Sequence, residues 1–565
     1  MANLTVTMPR HMPPFNYTDL FVNYDETSYL NMPEQRPLLV AHIVLMTLAF
    51  FGLLPVSLML SVARSPLFLA VHSVFLATVG LGMAPILVYK SATPDLYPNN
   101  IHHKLGFVVL ALLAAHFGAA VVRAVLDWSF EKRSGHRRVA SHDDRAELGA
   151  SLGSTLAGHS MTSVLRTHDA AAPARPSDDS GHVGSGSPNL GFSPYQDDTV
   201  VDDDSADIML GEKAYGTLEH RVENWLMRNV VFGRFSPLAY VSTDVLAGCR
   251  TAANVVFGVL NRPLVVIGFA QIVSGAITAT GMGHGDKIFG LLAHLIKGGV
   301  FLWLGVLTLG RWLGAFAEYG WAWNVRPASA ARNRYITCSM ETVESGLIFF
   351  YGITNVFLEH LGNKDGKWSH KDLQHVSIAF MFIGGGLGGL LLESRAVRQL
   401  LNATLDQAMS ARALASTYAT ASPAHQEPAT YAFSFNPFPL FTIFFTGVLM
   451  SQHQQATELA TKIHMQWGYL LCIAAVFRFA TYVIYFLAPP QSYLSGRPLT
   501  EILVSFCLMA GGFIFMLSNT ETVQAMIYRG VDAMFTMNIT VGLATLVMSW
   551  IIVLMALKGW AAQRA

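Results

Sequence analysis

The chain has 565 residues, enough for three or four soluble domains on length alone. Hydrophobic residues make up 52% and charged residues 13%, with a mean hydropathy of +0.39; ordinary soluble proteins carry about twice that charged share, so a soluble enzyme is excluded. The 37 basic and 37 acidic residues cancel, leaving no global field for nucleic acid, and four cysteines are too few for a disulfide scaffold.

What remains is an all-α, polytopic membrane helical bundle, built from segments of roughly 20 apolar residues, each able to cross about 30 Å of hydrocarbon. Eleven such segments follow in chain order: 37–63, 66–89, 103–126, 263–282, 288–316, 336–358, 373–392, 431–451, 464–488, 499–519 and 531–557. Pro437 and Pro439 interrupt the start of the eighth. Residues 1–36 contain no apolar core, so no cleavable signal peptide is expected and the first span serves as signal anchor.

Orientation follows from the Lys/Arg bias of the loops. Odd-numbered spans are followed by Arg64, by Lys132, Arg133, Arg137 and Arg138, by Arg326, Arg332 and Arg334, and by Arg395 and Arg398. The opposite loops carry a thinner set: Lys90, Lys104, Lys287, Lys364 and Lys462. This places the N-terminus outside or lumenal and the C-terminus in the cytosol. Sequons at Asn3 and Asn16 fall on the outer side, as glycosylation requires. The expected setting is a multi-pass protein of the secretory pathway, in the ER, Golgi, vacuole or plasma membrane.

The predicted organisation is an outer tail (1–36), a three-helix region (37–126), a cytosolic loop (127–262) and a C-terminal membrane domain of about eight helices (263–565). Residues 130–225 are rich in Ser, Gly, Pro and Asp and read as disordered. Stretch 226–260 is part-apolar but holds Asp244 and Arg250, which suits an amphipathic interfacial helix. A second inner loop, 395–430, looks helical and then turns Ala/Ser/Thr/Pro-rich. Either loop could recruit a cytosolic partner, and neither identifies one.

Ionisable residues inside spans mark function by default. His42 lies ~8 Å from the outer end of span one, and His103 opens span three from the same side. His72, near the inner end of span two, matches the depth of His116, ~20 Å inward of His103. Two histidine levels, one per leaflet, would suit two stacked bis-imidazole haems. Yet His103 and His116 are ~220° apart around their helix, so both cannot face one groove. The alternative is that each ring hydrogen-bonds a neighbouring helix.

The segments AHIVLMTLAFFGLLPVSLMLSVARSPLFLAVHSVFLATVGLGMAPILVYK and IHHKLGFVVLALLAAHFGAAVVRAV resemble the cytochrome b561 core of ferric-reductase-type proteins. The resemblance implies haem b held by one histidine from each of four consecutive helices, the first pairing with the third and the second with the fourth. His42, His72 and His103 match the first three positions, with His102 as an alternative register. RPLVVIGFAQIVSGAI, where the fourth should fall, contains no histidine, leaving His116 as the available substitute. The same resemblance implies a mobile small-molecule electron donor such as ascorbate, since no NAD or flavin motif is present.

In the C-terminal half, HLIKGGVFLWLGVLTLGRWLGAFAEYGWAWN, ETVESGLIFFYGITNVFLEHL and DLQHVSIAFMFIGGGLGGLLLES resemble the fungal Ytp-one-like membrane proteins over roughly 263–560, a resemblance that implies the fold and no activity. His294, His360, His375, His453 and His464 gather at the outer level on five separate helices, with His284 and His370 in adjoining loops. Imidazole suits Fe, Cu or Zn, so a shared transition-metal site is one reading; the other is that histidines favour the wet interface. Glu341 and Glu344 sit one turn apart on span six, ~8 and ~12 Å from the inner face, with Lys297 and Arg478 at matching depths. They form either static ion pairs or a proton or cation relay. The GGGLGG run at 384–389 fits close helix crossing rather than phosphate binding, and GWAWN at 320–324 reads as an interfacial belt with a turn.

Three functions follow from these features. The first is haem-based transmembrane electron transfer, a transmembrane oxidoreductase. The second is metal or proton-coupled transport, and the third a non-catalytic membrane scaffold.

Overall fold

A computed structural model describes residues 28–32, 34–153, 242–285, 287–327, 338–358, 370–414, 430 and 433–564. Among them the regular structure is all helical. In chain order the helices are α1 (Arg36–Val62), α2 (Leu67–Ala92), α3 (Ile101–Gly153), α4 (Thr243–Asn261), α5 (Pro263–Thr280), α6 (Lys287–Trp312) and α7 (Met340–Leu358). They continue with α8 (His370–Glu393), α9 (Arg395–Leu414), α10 (Phe438–Ser451), α11 (Glu458–Leu487), α12 (Leu499–Leu517), α13 (Thr520–Tyr528) and α14 (Ala533–Arg564).

Nine of these, among the described residues, are long and apolar enough to cross a membrane. The other two segments expected to span are helical as well but fall short of that standard. α7 carries Glu341, Glu344 and Asn355, and α10 has 14 residues because Pro437 and Pro439 set its start. Asn3, Asn16 and His360 lie outside the described residues, as does the loop over 154–241. α3 continues through 130–153, the first part of the stretch read as disordered. Within the 395–430 loop, α9 accounts for the part that looks helical.

Residues 1–113 with 261–565 cluster as one compact unit, and residues 114–260 as another. In the second, Leu246, Ala253 and Phe257 give α4 a buried stripe at helical spacing. An ion pair of 2.6 Å joins Arg250 to Asp127.

In the first unit, α1, α2, α5 and the start of α3 share a core around Phe50, Leu54, Phe75, Leu113 and Leu264. α1 contains one wide turn, Leu48–Leu53, just ahead of Pro55. A proline ring cannot donate to the preceding turn, and a π-type turn absorbs the mismatch. That turn bears Phe50, which packs onto Gly268 of α5 so closely that a Cβ there would lie 2.5 Å from the ring.

The remaining core joins α6, α11, α12 and α14, with Trp467 and Phe515 stacked at 4.1 Å at its centre. Association inside a bilayer has little hydrophobic drive, so close packing of small residues supplies it. Gly298 of α6 and Gly512 of α12 face one another; a Cβ on either would stand 2.7 Å from the other's carbonyl oxygen. In the GGGLGG run of α8, Gly386 meets the backbone of Phe349 on α7, the close crossing its sequence suggests.

Candidate functional site

α6, α7, α11 and α12 each bring charge to one end of this core. Arg311 lies in the last turn of α6, and Glu341 and Glu501 lie in the first turns of α7 and α12. Each sign is the one the local helix dipole favours. Arg478 and Tyr482 come from one face of α11, a turn apart. Arg311, Glu341, Glu344, Arg478 and Glu501 are all at most 8% exposed.

The geometry is a connected cluster. Arg478 Nη1 stands 3.5 Å and Arg311 Nη1 3.7 Å from the same oxygen, Oε1 of Glu344. Arg478 Nε lies 2.7 Å from Glu501 Oε1, a close ion contact bent out of hydrogen-bond alignment. Tyr482 donates its hydroxyl to Glu341 Oε1 at 3.3 Å, Arg311 Nε donates to the Trp321 carbonyl at 2.7 Å, and Arg478 Nη2 donates to Thr308 Oγ1 at 3.5 Å. Both guanidiniums also lie over the Trp323 ring, 4.8 and 5.4 Å from its centroid, where the π face adds attraction.

Two loops close this end. Asn324 Nδ2 donates to the Tyr493 carbonyl at 2.8 Å, Val325 N to Ser492 O at 2.8 Å and Gly496 N to Ala322 O at 3.2 Å. The GWAWN segment, read from sequence as an interfacial belt, therefore turns inward at Trp323, which is buried against Tyr482 and Tyr485. A cavity of about 20 Å³ lined by Glu344, Arg478 and Tyr482 adjoins the charges, room for a single water.

Chemically, three carboxylates (Glu341, Glu344, Glu501) face two guanidiniums (Arg311, Arg478) within one buried cluster. Burying an uncompensated charge costs several kcal/mol by order of magnitude. The arrangement is therefore charge-balanced when it also holds one proton. Arg478 and Glu344 meet as their depths in the sequence suggest. Lys297 instead lies with its ammonium 6.0 Å from the Tyr351 ring centroid. Arg311 and Glu501 escaped sequence reasoning because each sits at a span end, where charges ordinarily reach headgroups; the burying loops carry no sequence signal beyond GWAWN.

The N-terminal histidines have different hydrogen-bond or stacking partners, and His102 also lies within electrostatic range of His42 and His103. His42 Nδ1 is 2.8 Å from the Gly82 carbonyl. His72, fully buried, has Nδ1 3.0 Å from Ser57 Oγ and the Phe68 and Phe75 rings each at 5.3 Å. His102 Nδ1 lies 3.1 Å from Ser274 Oγ and 3.0 Å from Gln271 Nε2. His103 Nε2 lies 3.0 Å from Lys90 Nζ on the exposed side. In the other unit, His116 stacks on Phe257 at 4.5 Å. A bis-imidazole haem site needs two rings opposed across a groove; phenylalanine rings and hydroxyls occupy the surroundings of His72.

Of the outer-level histidines, His294 of α6 and His464 of α11 come together, with ring centroids 5.9 Å apart. His284 packs on Tyr97 at 4.1 Å; burial, with the nearby Glu521 carboxylate second, pushes the Tyr97 hydroxyl above its usual range. His375 is on α8 and His453 follows α10. Among the described residues, no group of three or more His, Cys, Asp or Glu side chains is placed to hold a metal ion.

Fold and buried charge together define an integral, multi-pass helical membrane protein. Residues 267–559 match the family model described as Protein YTP1-like, C-terminal, and residues 23–126 match a domain of unknown function. A Saccharomyces cerevisiae protein described as an uncharacterized membrane protein is 36% identical over 562 residues, covering 95% of this chain and 85% of that one. A Schizosaccharomyces pombe protein of the same description is 34% identical over 549 residues, covering 96% and 98%. Protein YTP1 of Saccharomyces cerevisiae is 26% identical over 221 residues, 39% of each chain. No solved structure matches. The chain belongs to the fungal YTP1-like membrane protein family.

Proposed function

We propose that the protein is a proton-coupled membrane transporter whose proton site is the arginine–carboxylate cluster. One observation carries this reading: three carboxylates oppose two guanidiniums out of solvent, so occupancy by a proton or a passing cation balances the charge. Glu341, held by the Tyr482 hydroxyl, is the carboxylate best placed to gain and lose that proton. The water-sized cavity beside Glu344 provides a step for it. Electron transfer through haem is the weaker reading: His42, His72 and His103 each have a ring nitrogen hydrogen-bonded, to Gly82, Ser57 and Lys90, and His116 stacks on Phe257.

The test is proton movement in liposomes containing the purified chain and an internal pH-sensitive dye, challenged with a panel of monovalent and divalent cations. At least one cation is expected to drive proton movement, and Glu341→Gln is expected to abolish it in a folded protein. Proton movement absent across the panel, or unchanged in Glu341→Gln, would overturn the proposal.

A further inference from the structure

α8 and α9 meet at one residue, Ser394, and differ in kind on its two sides. α8 is long and apolar enough to span over Leu373–Glu393. Its last residue is tied to neighbouring segments: Glu393 Oε2 accepts from Ser339 Oγ at 2.7 Å, and Oε1 accepts from Ser434 Oγ. Arg398 Nη2 donates to the Glu393 carbonyl at 3.2 Å, a cation set against the closing carbonyls of the span. Ser394 then opens α9 as its N-cap, its hydroxyl accepting from Val397 N at 3.4 Å.

Beyond that cap the helix is amphipathic. At 100° per residue, Val397, Leu400, Leu401 and Leu405 fall within an arc of about 140°, and Arg395, Gln399 and Asn402 fall on the opposite side. Leu400, Leu401 and Leu405 are 72%, 68% and 57% exposed. Leucines gathered in one arc form a continuous apolar stripe, and a stripe of that kind marks a surface that meets something apolar.

Position selects what that is. A span ends where hydrocarbon gives way to headgroups, so α9, one residue further on, begins at that boundary. The exposed apolar side chains of α8 run to Leu391 and Leu392 and resume at Leu400. The acyl phase that faces the first pair is therefore the nearest apolar medium to the stripe. Charge agrees: residues 395–405 carry Arg395 and Arg398 and no acid, and arginines near a bilayer surface are drawn to anionic lipid. A wide apolar arc, a polar face with arginine and low net hydrophobicity describe a helix that lies in the interface rather than crossing it. We infer that α9 is a membrane-surface helix, its leucine stripe seated at the acyl boundary where α8 ends and its arginines turned to anionic headgroups. The inference is independent of the transport reading, because no residue of the charge cluster takes part in it.

The test uses the full-length chain with its four cysteines replaced by serine and a nitroxide attached at Leu401→Cys or Asn402→Cys. Each is reconstituted in phosphatidylcholine alone or mixed with phosphatidylserine. In the mixed bilayer the Leu401→Cys label should be several-fold more accessible to oxygen than to a water-soluble nickel complex, with the preference reversed at Asn402→Cys. That contrast should shrink without phosphatidylserine. A Leu401→Cys label open to the nickel complex would overturn the inference, and a label shielded from both reagents would assign the stripe to a protein surface instead. Equal contrast in the two bilayers would overturn the headgroup pairing. Should the cysteine-free chain misfold, amide exchange of the unmodified chain decides. Amides of 396–405 should exchange several-fold more slowly with phosphatidylserine present, and equal rates in the two bilayers would count against the inference.

Discussion

The two halves of the membrane unit treat buried polar groups in opposite ways. In the N-terminal helices the histidines have local hydrogen-bond partners: His42 has Gly82, His72 has Ser57, and His102 has Ser274 and Gln271. In the C-terminal helices the charges are pooled, with Glu344 shared by two guanidiniums and Arg478 shared by two carboxylates. A ring with its own hydrogen-bond partner depends chiefly on that partner. A pooled cluster is coupled, so removing one member leaves the others buried without compensation. That difference is what the proton-site proposal rests on.

Arg478→Met should show the largest effect. It strands Glu501 in the interior and leaves Glu344 with Arg311 alone, and thermal unfolding in detergent should report a loss of about 3–5 kcal/mol. Adding Glu501→Gln should return part of that loss, because one orphan charge is gone; no recovery would break the pooled picture. Gly512→Leu should come next, forcing α12 away from Gly298 at a cost of about 1–3 kcal/mol, read in the same assay. Ser57→Ala should be milder, at the lower end of about 1–3 kcal/mol for a buried ring nitrogen losing its partner. It should leave any cation-driven proton movement unchanged, which sharpens the contrast between the halves. Tyr482→Phe should cost least, about 1 kcal/mol for one hydrogen bond, yet alter the pH profile of proton movement through Glu341.

Much of the fold was legible because a bilayer permits few solutions: long apolar runs must be helices, and the nine long apolar helices lie where hydropathy places them. The two exceptions are instructive. α7 trades apolar surface for the carboxylates it contributes, and prolines shorten α10. Three of the five charges in the cluster were legible as well, since Glu341, Glu344 and Arg478 are costly anywhere inside a span. Arg311 and Glu501 were not, because their burial depends on the pairing of two loops, Asn324 with Tyr493 and Val325 with Ser492. Hydrogen bonds between loops distant in sequence leave no periodicity to read. Histidine depth proved a weaker guide than charge, since a neutral ring can be satisfied by whichever hydroxyl or carbonyl lies nearest.

The most direct test of the account is an infrared difference spectrum of the purified chain across neutral pH, comparing wild type with Glu341→Gln. The charge count predicts a protonated carboxyl band in the wild type that titrates and is absent from the variant. A wild-type spectrum with every carboxylate of the cluster ionised throughout, identical to that of Glu341→Gln, would mean that the cluster is a fixed tie between helices and not a proton site.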